Sequence, residues 1–351
     1  MPNEPMQVPD ITLLVCTFNR CADLREMLSS ALAQETSGEF TFEVVVVDNN
    51  SSDGTRQVVE EFIAGGHNNL RYLFEGRQGK SFALNTGLEA ARGHIYTIGD
   101  DDFILPPDWL IKIFRAFQAH PEVSVVSGKV LPRWQAEAPT WLTPKHWSAI
   151  AMADYGEEEF YADEERQICL LAGSFRRADV LAVGGYRTGL SVSGEQIGGV
   201  EDLEILQRLW KAGYKAIYQP HIFFWHKVEP QRMTKQYHRR WHEGHGRFYA
   251  ALRDEQVERS SARLFDVPLH LYRQAAADAL GWLRCALQPG RAEESFAHET
   301  RLCFFRGFFR QRREDYAAVA GRGGAGRELL SFARALATGR NNGRGAPKGV
   351  G

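Results

Sequence analysis

No uncharged apolar run in this 351-residue chain approaches the ~18–20 residues that span a bilayer. The opening segment, MPNEPMQVPD, has neither a basic start nor an apolar stretch, so no secretory signal is expected there. Cysteine is scarce. The five thiols, Cys16, Cys21, Cys169, Cys285 and Cys303, form no C-x-x-C pair and no metal-ligand spacing. An odd, scattered set suits a reducing compartment, and a cytoplasmic location is expected. Neither sign of charge is in excess: 42 Lys plus Arg stand against 44 Asp plus Glu, for a net charge of −2. A nucleic-acid partner, which would call for a basic surplus, is not expected. No internal repeat occurs. What is present is a globular balance, 44% apolar and 25% charged, in a length that suits one large domain or a catalytic domain with an appendage.

The first 130 residues alternate apolar runs with helical patterns. Ile11 to Thr17 reads as a buried strand, and the following CADLREMLSSALAQ places Leu24, Met27, Leu28, Ala31 and Leu32 at helical spacing. Glu43 to Asp48 is a second strand, ending in the turn and cap residues NNSSDGT, with a helix over 54–64. Leu70 to Phe74 is a third strand. A helix through Phe82, Leu84, Leu88 and Ala91 leads to a fourth, His94 to Ile98, which stops at Gly99-Asp100-Asp101-Asp102. Runs that are apolar throughout are covered on both faces, so this alternation predicts a parallel sheet with right-handed crossovers. The stretch 130–200 is irregular. GSFRRADVLAVGGY (173–186) reads as a strand, a short helix and a glycine turn, and a helix opens with Glu201-Asp202. Lys215 to Tyr218 and Ile222 to Trp225 read as two strands, the second ending at His226. From 229 to about 316 the pattern is wholly helical.

In an open parallel sheet, ligands bind beyond the carboxyl ends of the strands. Three such ends carry polar clusters: Thr17-Phe18-Asn19-Arg20, Asp48-Asn49-Asn50-Ser51 and Asp100-Asp101-Asp102. Helix capping accounts for residues 49–53. It does not account for three adjacent carboxylates, which raise one another's pKa unless a cation neutralises them. A hard divalent ion held by one or two carboxylates and substrate phosphates resolves that cost.

Together CTFNR, VVVVDNNSSDGT, GKSFALNTGLEAARG and GDDDF, followed by GSFRRADVLAVGGY and GGVEDLEILQRLWKAGYKAIYQP, resemble the inverting glycosyltransferases of family 2. The resemblance covers about 11–130 and resumes up to about 226. It implies the GT-A fold: a mostly parallel central sheet flanked by helices, here with a helical C-terminal extension. The implied organisation is a flexible start over 1–10, a catalytic domain over 11–228 (nucleotide-sugar half 11–130, acceptor half 131–228), a helical extension over 229–318 and a largely disordered Gly/Arg-rich tail over 319–351. Thr17, Phe18 and Arg20 would line the nucleotide pocket, although many relatives carry Pro where Cys16 stands and Tyr where Phe18 stands. Asp48 would accept a hydrogen bond from the base, which suits uracil. Lys80 would lie beside the phosphates, and Asp100 and Asp101 would contact ribose and phosphate. Asp102 would be the direct ligand of Mn²⁺ or Mg²⁺. His226 fits the slot of a further metal ligand, or is a core histidine. Of the pair at the helix start, Asp202 would be the base that takes the acceptor proton, with Glu201 orienting; an acidic helix N-terminus alone accounts for both.

The function implied is metal-dependent, inverting transfer of a hexosyl or N-acetylhexosaminyl group from a nucleotide sugar, UDP-linked by preference, to a glycan or lipid-linked acceptor in cell-surface glycan or glycolipid synthesis. The alternative is an inactive nucleotide-sugar-binding subunit of an assembly complex, which the intact acidic motifs oppose. A nucleotidylyltransferase would carry a glycine-rich basic loop after the first strand, and a dinucleotide oxidoreductase a G-x-G-x-x-G turn; CTFNRCAD is neither. Arg239, Arg240 and His245 either contact the diphosphate or form a solvated face. In 301–313 (RLCFFRGFFRQRR), Arg306, Arg310 and Arg313 flank an arc of Phe304, Phe305, Phe308 and Phe309. That pattern is either a helix lying on anionic lipid at the inner face of the membrane or one packing its phenylalanines on the catalytic domain. Tyr272, Ala275, Ala276, Ala279 and Leu283 mark a further amphipathic helix, core or dimer face.

Overall fold

The computed structural model describes residues 8–171, 173–194, 196–259 and 262–320. Most of the start over 1–10 and nearly all of the tail over 319–351 lie outside the described residues. The chain forms two compact units: one comprises 8–138, 150–194 and 201–230, the other 139–149, 196–200 and 231–320.

In the first unit, β1 (Ile11–Thr17), α1 (Cys21–Leu32), β2 (Phe42–Asp48), α2 (Thr55–Ala64), β3 (Leu70–Phe74), α3 (Lys80–Ala90) and β4 (Ile95–Asp100) alternate as the apolar runs predict. The chain continues through β5 (Phe103–Ile104), α4 (Trp109–Ala119), β6 (Val123–Trp134), β7 (Phe160–Ala162), β8 (Ser174–Arg176), α5 (Arg177–Ala182), α6 (Glu201–Lys211) and β9 (Lys215–Val228). Among the described residues, nine of these strands form one sheet in the order β3-β2-β1-β4-β8-β6-β9-β5, with β7 beside β9. The β3-β2-β1-β4 half is parallel. Beyond it β8 runs antiparallel to both neighbours, β6 and β9 are parallel, and β5 and β7 are antiparallel to β9.

Every residue of β1 is buried because helices cover both faces. Leu14, Cys16, Val45 and Val47 pack with Ala83, Leu84 and Leu88 of α3 and with Ile205, Leu206 and Leu209 of α6. Leu24, Met27 and Leu28 of α1 are also fully buried. Each such leucine or valine contributes about 2 kcal/mol by leaving water. The parallel register sets Thr17 opposite Asp48 and Cys16 opposite Asp100, so the polar strand ends lie side by side.

The two strands expected at 215–218 and 222–225 are one. Against β6, Tyr218 pairs with Ser127 and Phe223 with Lys129, leaving residues 219–222 as a bulge opposite Gly128. A Cβ on Gly128 would collide with the Ile222 carbonyl, so only glycine lets the bulge close. Pro220, without a ladder donor, sits in that bulge.

The second unit holds α7 (Lys235–Leu252), α8 (Glu255–Glu258), β10 (Arg263–Leu264), β11 (Val267–Pro268), α9 (Leu269–Ala286) and α10 (Ala292–Ala320). The wholly helical pattern expected from 229 to about 316 is interrupted: β10 and β11 form a two-stranded hairpin. Its turn residues, Phe265 and Asp266, have φ of 50° and 60°. That is the left-handed pair a two-residue hairpin needs, reached without the Asn-Gly type of signature that would have marked it. α7 and α10 cross at Gly246 and Gly307, where a Cβ on either would strike the other helix's backbone.

The phenylalanine arc of 301–313 is not presented to lipid. Phe305 and Phe308 are buried with Ala250, Val267 and Leu271, and Phe304 and Phe309 pack against that cluster. Arg312 is fully buried and pairs with Glu258 and Asp266. The partners of this arc are α7, α9 and β11 of the second unit. Among the described residues, no helix is long and apolar enough to cross a membrane.

Candidate active site

A cleft of about 250 Å³ opens at the carboxyl ends of β1, β2 and β4 and is lined by Thr17, Phe18, Arg20, Lys80, Asp100, Asp101 and Asp102 of the expected set. Cys16, Asn49, Gln78, Gly79 and residues 192–194 complete the lining. It lies where β1 separates β2 from β4, the switch point of a doubly wound half-sheet.

The aspartates are held individually. Thr17 Oγ1 donates to Asp101 Oδ2 at 2.8 Å. Arg20 Nη1 donates to Asp101 Oδ1 at 3.1 Å and to Asp102 Oδ2 at 2.8 Å, while its Nη2 reaches Glu229 at 3.1 Å. Burial and the neighbouring Asp102 push the Asp101 carboxyl up to about 7, against the pull of Arg20. Asp100 accepts from Lys80 Nζ at 3.0 Å. Burial alone would lower the Lys80 ammonium, but Asp100, Asp202 and Glu201 hold it well above its usual value. β5 pairs Phe103 with His226, and that register brings His226 Nε2 to 3.2 Å from Asp102 Oδ2. His226 is 2% exposed.

Glu201 and Asp202 open α6. Burial raises the Glu201 carboxyl, and its Oε2 is buried with no hydrogen-bond partner among the described residues. Burial, then the Glu201 charge, push Asp202 up to about 8, with Lys80 pulling the other way. Lys80 thus stands electrostatically between the strand-end aspartates and the α6 pair.

Asp48 is 2% exposed and does not line the cleft. Its Oδ1 accepts from the Ser51 amide and its Oδ2 from Tyr72 Oη, both at 2.8 Å. Each carboxylate oxygen retains a second acceptor site. Asn49, read from sequence as a turn residue, is part of the lining. It donates to the Arg77 carbonyl at 2.7 Å and accepts from the Gly79 amide at 2.8 Å, fixing the Gln78-Gly79-Lys80 corner. The loop at 192–194 was also missed. It joins the cleft through the Lys80 amide, which donates to the Val192 carbonyl at 3.2 Å. No local pattern announces a contact across more than a hundred residues. Of the basic set on α7, Arg239 pairs with Glu299 at 2.7 Å, and His245 Nδ1 lies 3.1 Å from the Gly198 carbonyl, burial lowering that imidazole to about 4. Burial pushes the Cys16 and Cys169 thiols up, which favours the protonated form at neutral pH.

A half-parallel sheet with a charged cleft at its switch point and an acidic pair opening a nearby helix defines a GT-A fold. Residues 12–179 match the family described as Glycosyl transferase family 2. It is 25% identical over 225 residues to the glucosyl-dolichyl phosphate glucuronosyltransferase of Haloferax volcanii, covering 62% of this chain and 69% of that one. It is 24% identical over 254 residues to the succinoglycan biosynthesis protein ExoM of Rhizobium meliloti, covering 71% and 77%. Other curated relatives match over about a third of their own length. A mannosyltransferase of Pyrobaculum calidifontis, solved with GDP-Man and Mn²⁺, superposes with a TM-score of 0.52 at 22% identity, covering 96% of this chain and 83% of that one, and shows the same fold. The chain thus resembles family 2 glycosyltransferases, with relatives named for glycan and polysaccharide synthesis.

Proposed function

We propose that this chain is a metal-dependent, inverting glycosyltransferase that moves a sugar from a nucleotide-diphosphate sugar, UDP-linked by preference, to an acceptor hydroxyl. The observation that carries the reading is Lys80, whose Nζ donates to Asp100 at 3.0 Å and whose ammonium is held well above its usual value by the charges of Asp100, Asp202 and Glu201. The cleft presents cationic donors for a diphosphate, and Lys80 links it electrostatically to Glu201 and Asp202, which do not themselves line it.

The residues fit a divalent ion. Asp102 Oδ2 and His226 Nε2 are 3.2 Å apart, the separation of neighbouring ligands on one ion at bonds of about 2.1 Å. Among the described residues no third His, Cys, Asp or Glu completes a metal cluster. That suits an ion that shares its shell with substrate phosphates. When bound, it would neutralise charge on the departing diphosphate.

The chain's own residues do the rest. Arg20 presents a guanidinium fork to phosphate oxygens once the carboxylates it now holds are neutralised. Lys80 adds a point charge beside them. Asp202, ionised, takes the proton of the acceptor hydroxyl as the new glycosidic bond forms and the nucleotide diphosphate leaves from the opposite face of the sugar. The unpartnered Glu201 Oε2 accepts a hydroxyl and orients it. No covalent intermediate is required, and the anomeric centre inverts. The glucuronosyltransferase relative acts, by its name, on a dolichyl-phosphate-linked sugar, which favours a lipid-linked acceptor here.

Calorimetry with UDP, GDP, CDP and dTDP, each with and without Mn²⁺, tests the reading. The expected result is tight binding of UDP only with metal. Binding of another diphosphate alone would change the donor, and binding of none would overturn the assignment.

A further inference from the structure

α9 packs on α10 through one side only. Leu271 and Cys285 are buried, and Gly281 lies against the His298 ring. Asp278, the one acidic residue of α9, is spent on α10: His298 Nδ1 and Arg301 Nε each lie 2.7 Å from its Oδ1. The opposite side carries Ala276, Ala279, Leu280, Leu283 and, just past the helix end, Leu287, spaced i, i+3, i+4, i+7 and i+11, which is a single apolar stripe. Leu280 is 56%, Leu283 49% and Leu287 76% exposed, and Trp282 at one margin is 40% exposed. Arg273 and Arg284 run along the other margin. Both are exposed, three turns apart, and neither has an acidic partner among the described residues.

We propose that this stripe of α9 seats on an anionic lipid surface, its leucines entering the headgroup–acyl boundary and Arg273 and Arg284 meeting lipid phosphates. An apolar band with arginine on one flank and tryptophan on the other suits that boundary. The charge pattern argues against a second copy of the chain. Antiparallel two-fold pairing of two stripes brings the arginine margins of both copies to the same seam, with no outward carboxylate on α9 to offset them. Of the two readings of the arc of 301–313, packing holds for α10, and the lipid contact is assigned instead to the preceding helix. The inference does not depend on the donor or acceptor assigned above.

Flotation or co-sedimentation of the full chain with vesicles tests it. The chain should bind equimolar phosphatidylcholine–phosphatidylglycerol vesicles and not phosphatidylcholine alone, and raising salt should weaken binding. Arg273→Ala and Arg284→Ala should each cost about fivefold in partitioning. Leu283→Glu with Leu287→Glu should cost at least tenfold. Because these side chains are exposed, circular dichroism should show the variants folded; Leu283→Gln with Leu287→Gln is the milder pair should the glutamates disturb the helix. Arg306→Ala, on the exposed side of α10, should leave binding unchanged. Absence of vesicle binding by the full chain overturns the proposal. So does binding that survives all the α9 variants, or a stripe variant that only converts a dimer to monomer in sedimentation velocity.

Discussion

Replacing Asp202 with Asn removes a proton acceptor and a buried charge while keeping the shape, so it tests catalysis and electrostatics together. Burial and Glu201 push this carboxyl up to about 8. A general base works only when ionised, so kcat/KM of the unaltered protein should climb about tenfold per pH unit up to about pH 8 and then level. Asp202→Asn should lower kcat by about 10²–10⁴-fold and leave UDP affinity in the presence of Mn²⁺ unchanged. The stability effect has the opposite sign. The folded pKa lies above the unfolded value of about 3.9, so the folded state binds the proton more tightly. The resulting stabilisation is complete below about pH 4 and is lost as pH rises through about 8. At pH 7 the loss is on the order of 4 kcal/mol, and a neutral Asn does not incur it. Thermal melts should therefore coincide near pH 4, and the variant should melt several degrees higher near pH 8. Parallel melting curves at all pH values would refute the electrostatic reasoning. Full turnover by the variant would move the base to Glu201 or another group.

Asp102→Ala should abolish the Mn²⁺-dependent gain in UDP affinity measured by calorimetry; an unchanged gain removes Asp102 from the metal set. Lys80→Met deletes the cation that pulls Asp202 down, so residual activity should shift to higher pH, and an unshifted pH–rate profile would sever that link. Phe308→Ala, at a side chain 1% exposed in the α7–α9–α10 core, should cost about 3–5 kcal/mol in urea unfolding; a loss below about 1 kcal/mol would show that the site collapses or is not part of the cooperative core.

The parallel half of the sheet was legible because its signals are local and redundant. Leu13, Leu14 and Val15, like Val44 to Val47, are apolar at every position, which only a doubly covered strand tolerates. The polar residues that end these strands follow immediately in sequence, so Thr17, Arg20, Asp100, Asp101 and Asp102 could be placed at one edge without coordinates. The hairpin of β10 and β11 was not legible, because Phe265-Asp266 takes a left-handed turn that its residue types do not advertise. Nor was the single β9, since its continuity depends on Gly128 of another strand accepting the bulge.

Sequence by itself determined the alternation of strands and helices over 11–130, the acidic and basic residues gathered at the strand ends, and the family they resemble. All of these rest on near-neighbour chemistry: burial pattern, capping and charge spacing. Tertiary structure decided which partners those residues find. It brought His226 to Asp102 through the pairing of β5 with β9 and set Lys80 on Asp100, within electrostatic reach of Glu201 and Asp202. It also buried the phenylalanines of α10 and left the leucines of α9 exposed. A helical wheel shows that each of these helices has an apolar side. Which of them is covered depends on the element packed against it, and that contact spans dozens of residues the periodicity cannot connect.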